Sequence, residues 1–207
     1  MTSIKWVDSP PLPKDPSGPV LPWLVVVGAA GAGGARQLAA FVAALPADLP
    51  AAVLVSLHAP PARVAALTAT LRRLARLPVT TAYEGEALHA GVCYVAGWDH
   101  HLAVAGVTAH VTATPVPRGR TIDLLFRGAA AAGGPRVVGV VLAGASQDGA
   151  EGLGQIVRAG GVAMVIEARG GAKADMPVSA RRAIAARTAS SPALLAAEVV
   201  GLLQTSR

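Results

Sequence analysis

From Leu24 onward, short runs of β-branched residues alternate with Ala- and Leu-rich segments, and that alternation limits the available folds more than any other feature of the chain. It is the pattern of successive βαβ units, which build a parallel sheet with helices on its faces. Strands are expected over Leu24–Val27, Ala52–Leu57, Val137–Leu142 and Val162–Ile166, with helices near 34–45, 62–76, 121–132 and 149–159. The run Ala52–Leu57 is apolar apart from Ser56, as suits a strand covered on both sides. Between the second helix and residue 121 the pattern shortens to strands at Val79–Ala82, Val92–Ala96, Leu102–Ala105 and Val107–Thr112, the last two forming a hairpin around Gly106. Two further helices are expected near 177–187 and 192–204. The expected fold class is α/β: a doubly wound, mostly parallel sheet with helices on both faces, three-layer αβα and Rossmann-like, with a central antiparallel excursion.

Residues 1–22 read differently. Six prolines fall between Pro10 and Pro22; they remove backbone donors and disfavour helix, so an extended or disordered arm is expected there and one domain over 23–207. With 53% hydrophobic and 14% charged residues among 207, that domain can bury a sizeable core. The net charge of +6 raises the question of a nucleic-acid partner. The 15 Arg and 3 Lys are scattered singly or in pairs and aromatics are 3%, which leaves neither a basic run nor a stacking platform. No nucleic-acid partner is expected. The stretch Leu38–Leu57 is cut by Pro46 and Pro50, too early for a bilayer span of about 20 residues. A lone Cys93 excludes an internal disulfide and a cysteine metal cluster, and no signal peptide is evident. A soluble cytoplasmic protein without membrane insertion is expected.

Ligands of doubly wound sheets bind beyond the carboxyl ends of the strands, and three loops fall there. The first is the turn Gly28-Ala29-Ala30-Gly31-Ala32-Gly33-Gly34; the second follows His58; the third is Gly144-Ala145-Ser146-Gln147-Asp148-Gly149. His58 and Asp148 could activate a hydroxyl on the first loop, the aspartate fixing the imidazole tautomer at hydrogen-bond distance. The first loop has no serine, threonine or cysteine. Other roles are open to both residues: His58 as a strand-end side chain bonded to a carbonyl, Asp148 as the N-cap of the next helix. The glycine spacing also suits a phosphate cradle, but a dinucleotide needs an acid after the second strand, which ends Ser56-Leu57-His58. No cofactor is expected. Adjacent His100 and His101 point to opposite faces of a strand, so no metal site is expected beside Asp99. Ser56 reads as a core serine rather than a relocated nucleophile, and Arg118 and Arg120 as solvated loop residues.

These loops resemble the catalytic domain of the CheB family, the protein-glutamate methylesterases of bacterial chemotaxis. The resemblance covers about Leu24 to Leu203 and is carried by Val27-Gly28-Ala29…Gly33-Gly34, Val53-Leu54-Val55-Ser56-Leu57-His58-Ala59-Pro60-Pro61 and Gly91-Val92-Cys93-Tyr94-Val95-Ala96…Asp99. Thr121-Ile122-Asp123-Leu124, Val140-Val141-Leu142-Ala143-Gly144…Asp148-Gly149-Ala150, Gly160-Gly161 and Met176-Pro177 continue it in family order. The resemblance implies a base at His58, an orienting residue at Asp148, and a substrate and oxyanion loop built from Gly28, Ala29, Ala30, Gly31, Gly33, Gly34 and Ala145. It implies methylated glutamates of a chemoreceptor-like protein as substrate. The family's serine position falls on Ala30 or Gly31. Leu57 replaces a usual glutamine, Ala145 a usual methionine and Gly97-Trp98 a usual Pro-Gly. Hydrolysis is therefore expected to be impaired, and the alternative is a non-catalytic binding module of a chemosensory-type system. The family's receiver domain is not expected within this chain.

Overall fold

Val25, Val26 and Val27 hold their backbone extended. In the computed structural model, which describes residues 21–96, 100–112, 120–144, 147–167, 177–178 and 186–205, they lie in strand β1, Trp23–Ala30. The remaining strands are β2 (Ala51–His58), β3 (Val79–Thr81), β4 (Cys93–Val95), β5 (His101–Ala105), β6 (Thr108–Thr112), β7 (Val137–Val141), β8 (Val162–Ile166) and β9 (Arg187–Ala189). Seven of them form one sheet in the order β3-β4-β2-β1-β7-β8-β9, and every neighbouring pair in it is parallel. β5 and β6 stand apart as an antiparallel pair. The doubly wound α/β fold is thus present, with the excursion set outside the main sheet.

Among the described residues, five helices of nine or more residues cover that sheet: α1 (Gly31–Ala43), α2 (Pro61–Leu74), α3 (Thr121–Gly133), α4 (Ala150–Arg158) and α5 (Pro192–Thr205). Side chains alternate between the faces of a strand, and the core divides accordingly. Val25, Val27 and Val53 pack with Leu38 and Phe41 of α1, Leu71 of α2 and Leu195 of α5. Leu24, Val26 and Leu54 pack on the opposite face with Ile122 and Phe126 of α3 and Leu153 of α4. Both faces being dry explains why the strand sequences show no polar alternation.

Two boundaries differ from the sequence reading. β1 continues three residues past Val27, because all eight of its residues pair with β2, from Trp23 opposite Ala51 to Ala30 opposite His58. Of the helix expected near 177–187, residues 177–178 are helical, 179–185 lie outside the described residues, and Arg187 opens β9, which pairs with β8. Three residues of sequence Arg-Thr-Ala beside an Ala-rich stretch carry too little β preference to announce an edge strand. Residues 1–20 lie outside the described residues, whereas Leu21, expected in the arm, is buried in the α3-side core.

Candidate active site

β1 pairs with β2 on one side and β7 on the other, so the chain reverses its winding direction around this strand. Such a switch point opens a crevice beyond the carboxyl ends. Ala30 and His58 close their strands as register partners, which places their side chains on one face. Beyond them lies a cleft of about 210 Å³, walled by Ala30, the Gly31–Gly34 turn of α1, His58 and the Ala143–Gly144 loop. His58 is half-buried there.

The third wall is stitched to the first. The Ala30 N–H donates to the Ala143 carbonyl at 3.1 Å, and the Leu142 N–H donates to the Gly28 carbonyl at 2.9 Å. Gln37 of α1 accepts the Ala143 N–H on Oε1 at 2.9 Å. A side chain at Gly34 would overlap the Ala143 carbonyl, so α1 needs glycine there to approach the loop. Gly31 has φ 67°, a left-handed value that L residues rarely adopt, whereas Ala30 is extended at φ −134°. α1 starts with no side-chain cap and no acid in its first turn, so its orphan N–H groups and positive end meet the cleft. With the Ala30 and Ala143 amides already engaged, stabilising an oxyanion would fall to that first turn of α1.

Asp148 is 3% exposed and its carboxylate is directed at α3. It accepts the backbone N–H of Ile122 at 3.1 Å and of Asp123 at 2.9 Å, and the Thr121 hydroxyl at 3.3 Å. Asp123 returns the arrangement, accepting the N–H of Gly149 at 3.0 Å and of Gly152 at 2.7 Å. Each aspartate thus caps the helix that carries or follows the other. Burial, more than its neighbours Asp148 and Glu151, pushes the Asp123 carboxyl above its ordinary value, against the pull of the Gly152 and Gly149 amides. These bonds of the Asp148 carboxylate run to the N-terminus of α3, not to His58. Asp148 instead anchors α3, whose Ile122 sits so close over Gly28 that a Cβ there would collide with it.

Ala145, Arg118 and Asp99 lie outside the described residues. His100 is exposed, His101 opens β5, and Arg120 pairs with Glu151 at 3.2 Å. Among the described residues no three His, Cys, Asp or Glu side chains gather as a metal site, and no helix is long and apolar enough to cross a membrane. Ser56 is buried opposite Gly28, behind the cleft rather than in its wall. Two residues of the site escaped the sequence reading. Gln37 had one signal, an amide that with Arg36 makes the only two polar side chains of α1; Asp123 had a misleading one, because an acid in a first turn already suits its own helix.

Comparison with known proteins places this architecture. The family model described as CheB methylesterase matches residues 25–199. A protein-glutamate methylesterase/protein-glutamine glutaminase of Anaeromyxobacter dehalogenans is 40% identical over 176 residues, covering 83% of this chain and 52% of the relative. A like-named protein of Methanosarcina mazei is 34% identical over 142 residues, 64% of this chain and 39% of its own length. The chain therefore spans about four-tenths to a half of these curated relatives. The crystal structure of the Thermotoga maritima CheB methylesterase catalytic domain shares the fold, with a TM-score of 0.79 at 24% identity over 88% of this chain and all of that one.

Proposed function

Because the chain belongs to the CheB methylesterase family, we propose that its cleft receives methylated glutamyl side chains, as its relatives' names imply, that these belong to a chemoreceptor-like partner, and that it hydrolyses them poorly or not at all. One observation carries this reading: none of the described residues walling the cleft bears a hydroxyl or a thiol, and His58 is the one ionisable group among them. In a serine hydrolase the hydroxyl attacks the ester carbonyl, histidine takes its proton, and backbone amides hold the oxyanion. Here the base position is His58 and the amides are those at the start of α1. Among the described residues of the cleft wall the attacking oxygen has no side chain to come from, and losing a serine from such a set costs on the order of a millionfold in kcat.

Ala30 is the better candidate for the nucleophile position than Gly31. It is the register partner of His58 and its extended backbone accepts any L residue. Asp148 serves His58 indirectly, by holding the α3 N-terminus over the floor of the cleft. Turning its carboxylate to the imidazole would strand buried backbone donors at about 1–3 kcal/mol each. The same empty position favours the second reading, a binding module that holds a glutamyl side chain against the α1 amides without turnover.

Burst kinetics on an activated glutamyl ester, with mass-spectrometric search for an acyl-enzyme, tests both. The wild type is expected to give no burst and no adduct, and Ala30→Ser a weak burst with a trapped acyl-serine that disappears on adding His58→Ala. A wild-type chain that forms an acyl-enzyme by itself would overturn the empty-nucleophile reading.

A further inference from the structure

The outer surface beside the cleft holds a feature that the proposed chemistry does not use. α1 grows directly from Ala30 and α2 begins three residues after His58, so the two helices run away from the cleft side by side. Between them lies a groove of about 440 Å³ whose floor is small and apolar, including Ala39, Ala43 and Ala66. Arg36 and Arg63 stand at its end nearest the cleft, and Leu74, 49% exposed, closes the far end. Neither helix contains an acidic residue, and no ion pair engages Arg36 or Arg63 among the described residues.

We propose that this groove docks an amphipathic helix of a partner protein, apolar along one face and acidic on its flanks. The shape argues for a helix: residues 35–43 of α1 present about 12 Å of small-residue surface at 1.5 Å per residue, and short side chains let a third helix settle between two others. The charge argues for acidic flanks, since two unpaired guanidiniums at one end attract carboxylates and repel a second copy of this chain bearing the same pair. A duplex or single-stranded nucleic acid fits less well, because the rest of the lining is apolar apart from Thr70, whose hydroxyl already bonds the Ala66 carbonyl. Arg36 and Arg63 lie near the starts of the two helices that follow Ala30 and His58, so the groove would select and orient the partner whether or not the cleft then turns over. The inference concerns binding alone and stands apart from the reading of the nucleophile position.

The probe is a fluorescein-labelled peptide of about 18 residues, five helical turns, with Ala and Leu on one face and Glu on the flanks, titrated with the whole chain. Saturable micromolar binding is expected, weakened about tenfold or more, some 1.4 kcal/mol, by Arg36→Glu with Arg63→Glu. It should be weakened equally by Ala66→Trp, which fills the exposed floor, with circular dichroism and melting verifying that each variant is folded. Three results would overturn the proposal: no saturable binding, equal binding of a Lys-flanked peptide, or full retention in folded Ala66→Trp. Self-association abolished by Ala66→Trp in sedimentation, or displacement of the peptide by stoichiometric duplex DNA, would assign the groove to another occupant and overturn it as well.

Discussion

Backbone conformation at two adjacent residues decides what can be rebuilt in the cleft. Ala30→Ser places a hydroxyl on an extended backbone at the buried edge of the cleft and is expected to cost less than about 1 kcal/mol, with no backbone strain added. Gly31→Ser forces an L side chain to φ 67° and should lose about 1–2 kcal/mol, although nothing crowds a Cβ there. Urea denaturation of the two variants side by side checks the contrast, and equal losses would refute it. Cys93 gives a second residue-level test. Burial pushes its thiol up to about 12, leaving almost no thiolate at neutral pH. Ellman's reagent should leave the native chain unlabelled and label one thiol after denaturation. Residue identity made part of this legible in advance. Glycine spacing, His58 and Asp148 marked the three loops, and the pattern of apolar strands placed those loops at one edge. Which way the Asp148 carboxylate turns was not legible, because an aspartate before a helix can bond its own helix, a histidine or a neighbouring helix, and the choice depends on α3, which lies more than twenty residues away in sequence.

At the scale of elements, the two aspartates lock α3 to α4. Asp148→Ala removes the acceptor of two buried amides and should cost roughly 2–4 kcal/mol, whereas a residue serving only to orient His58 would cost activity and little stability. Thermal and urea unfolding separate the two. Asp123 adds a pH dependence with a definite sign. Its folded-state carboxyl titrates above its ordinary 3.8, so the folded state binds the proton more tightly than the unfolded one. The stability it contributes is fully present below 3.8 and is lost as pH rises through the elevated value. Asp123→Asn keeps an oxygen for the Gly149 and Gly152 amides but cannot titrate. The stability of the wild type relative to this variant is therefore expected to fall as pH is raised from below 3.8 to neutrality. A flat difference would show that the carboxyl is not perturbed. The helices and strands themselves were largely legible from hydrophobic pattern, and the misses share a cause: β1 was read too short and β9 not at all because pairing with a neighbour, rather than local preference, sets their ends.

At the scale of the whole molecule, the sheet is graded from centre to edge. β1 has neighbours on both sides and complete burial over Leu24–Val27, while β3 and β9 are three-residue edge strands. Native-state hydrogen exchange should therefore find the β1 and β7 amides opening only with global unfolding and those of β3 and β9 opening earlier; exchange of β1 ahead of β9 would contradict this. The pairing of β1 with β7 has one more consequence, for a chain still being synthesised. The two strands are joined in the fold but separated by more than a hundred residues, as are Gln37 and Ala143, which differ by 106 positions. While the ribosome translates that interval, one edge of an entirely apolar strand has no mate, and unmated edges of this kind recruit strands from other chains. The cleft therefore closes only once β7 has been made, and the interval before β7 emerges is when a nascent copy is most exposed to aggregation and most in need of a chaperone.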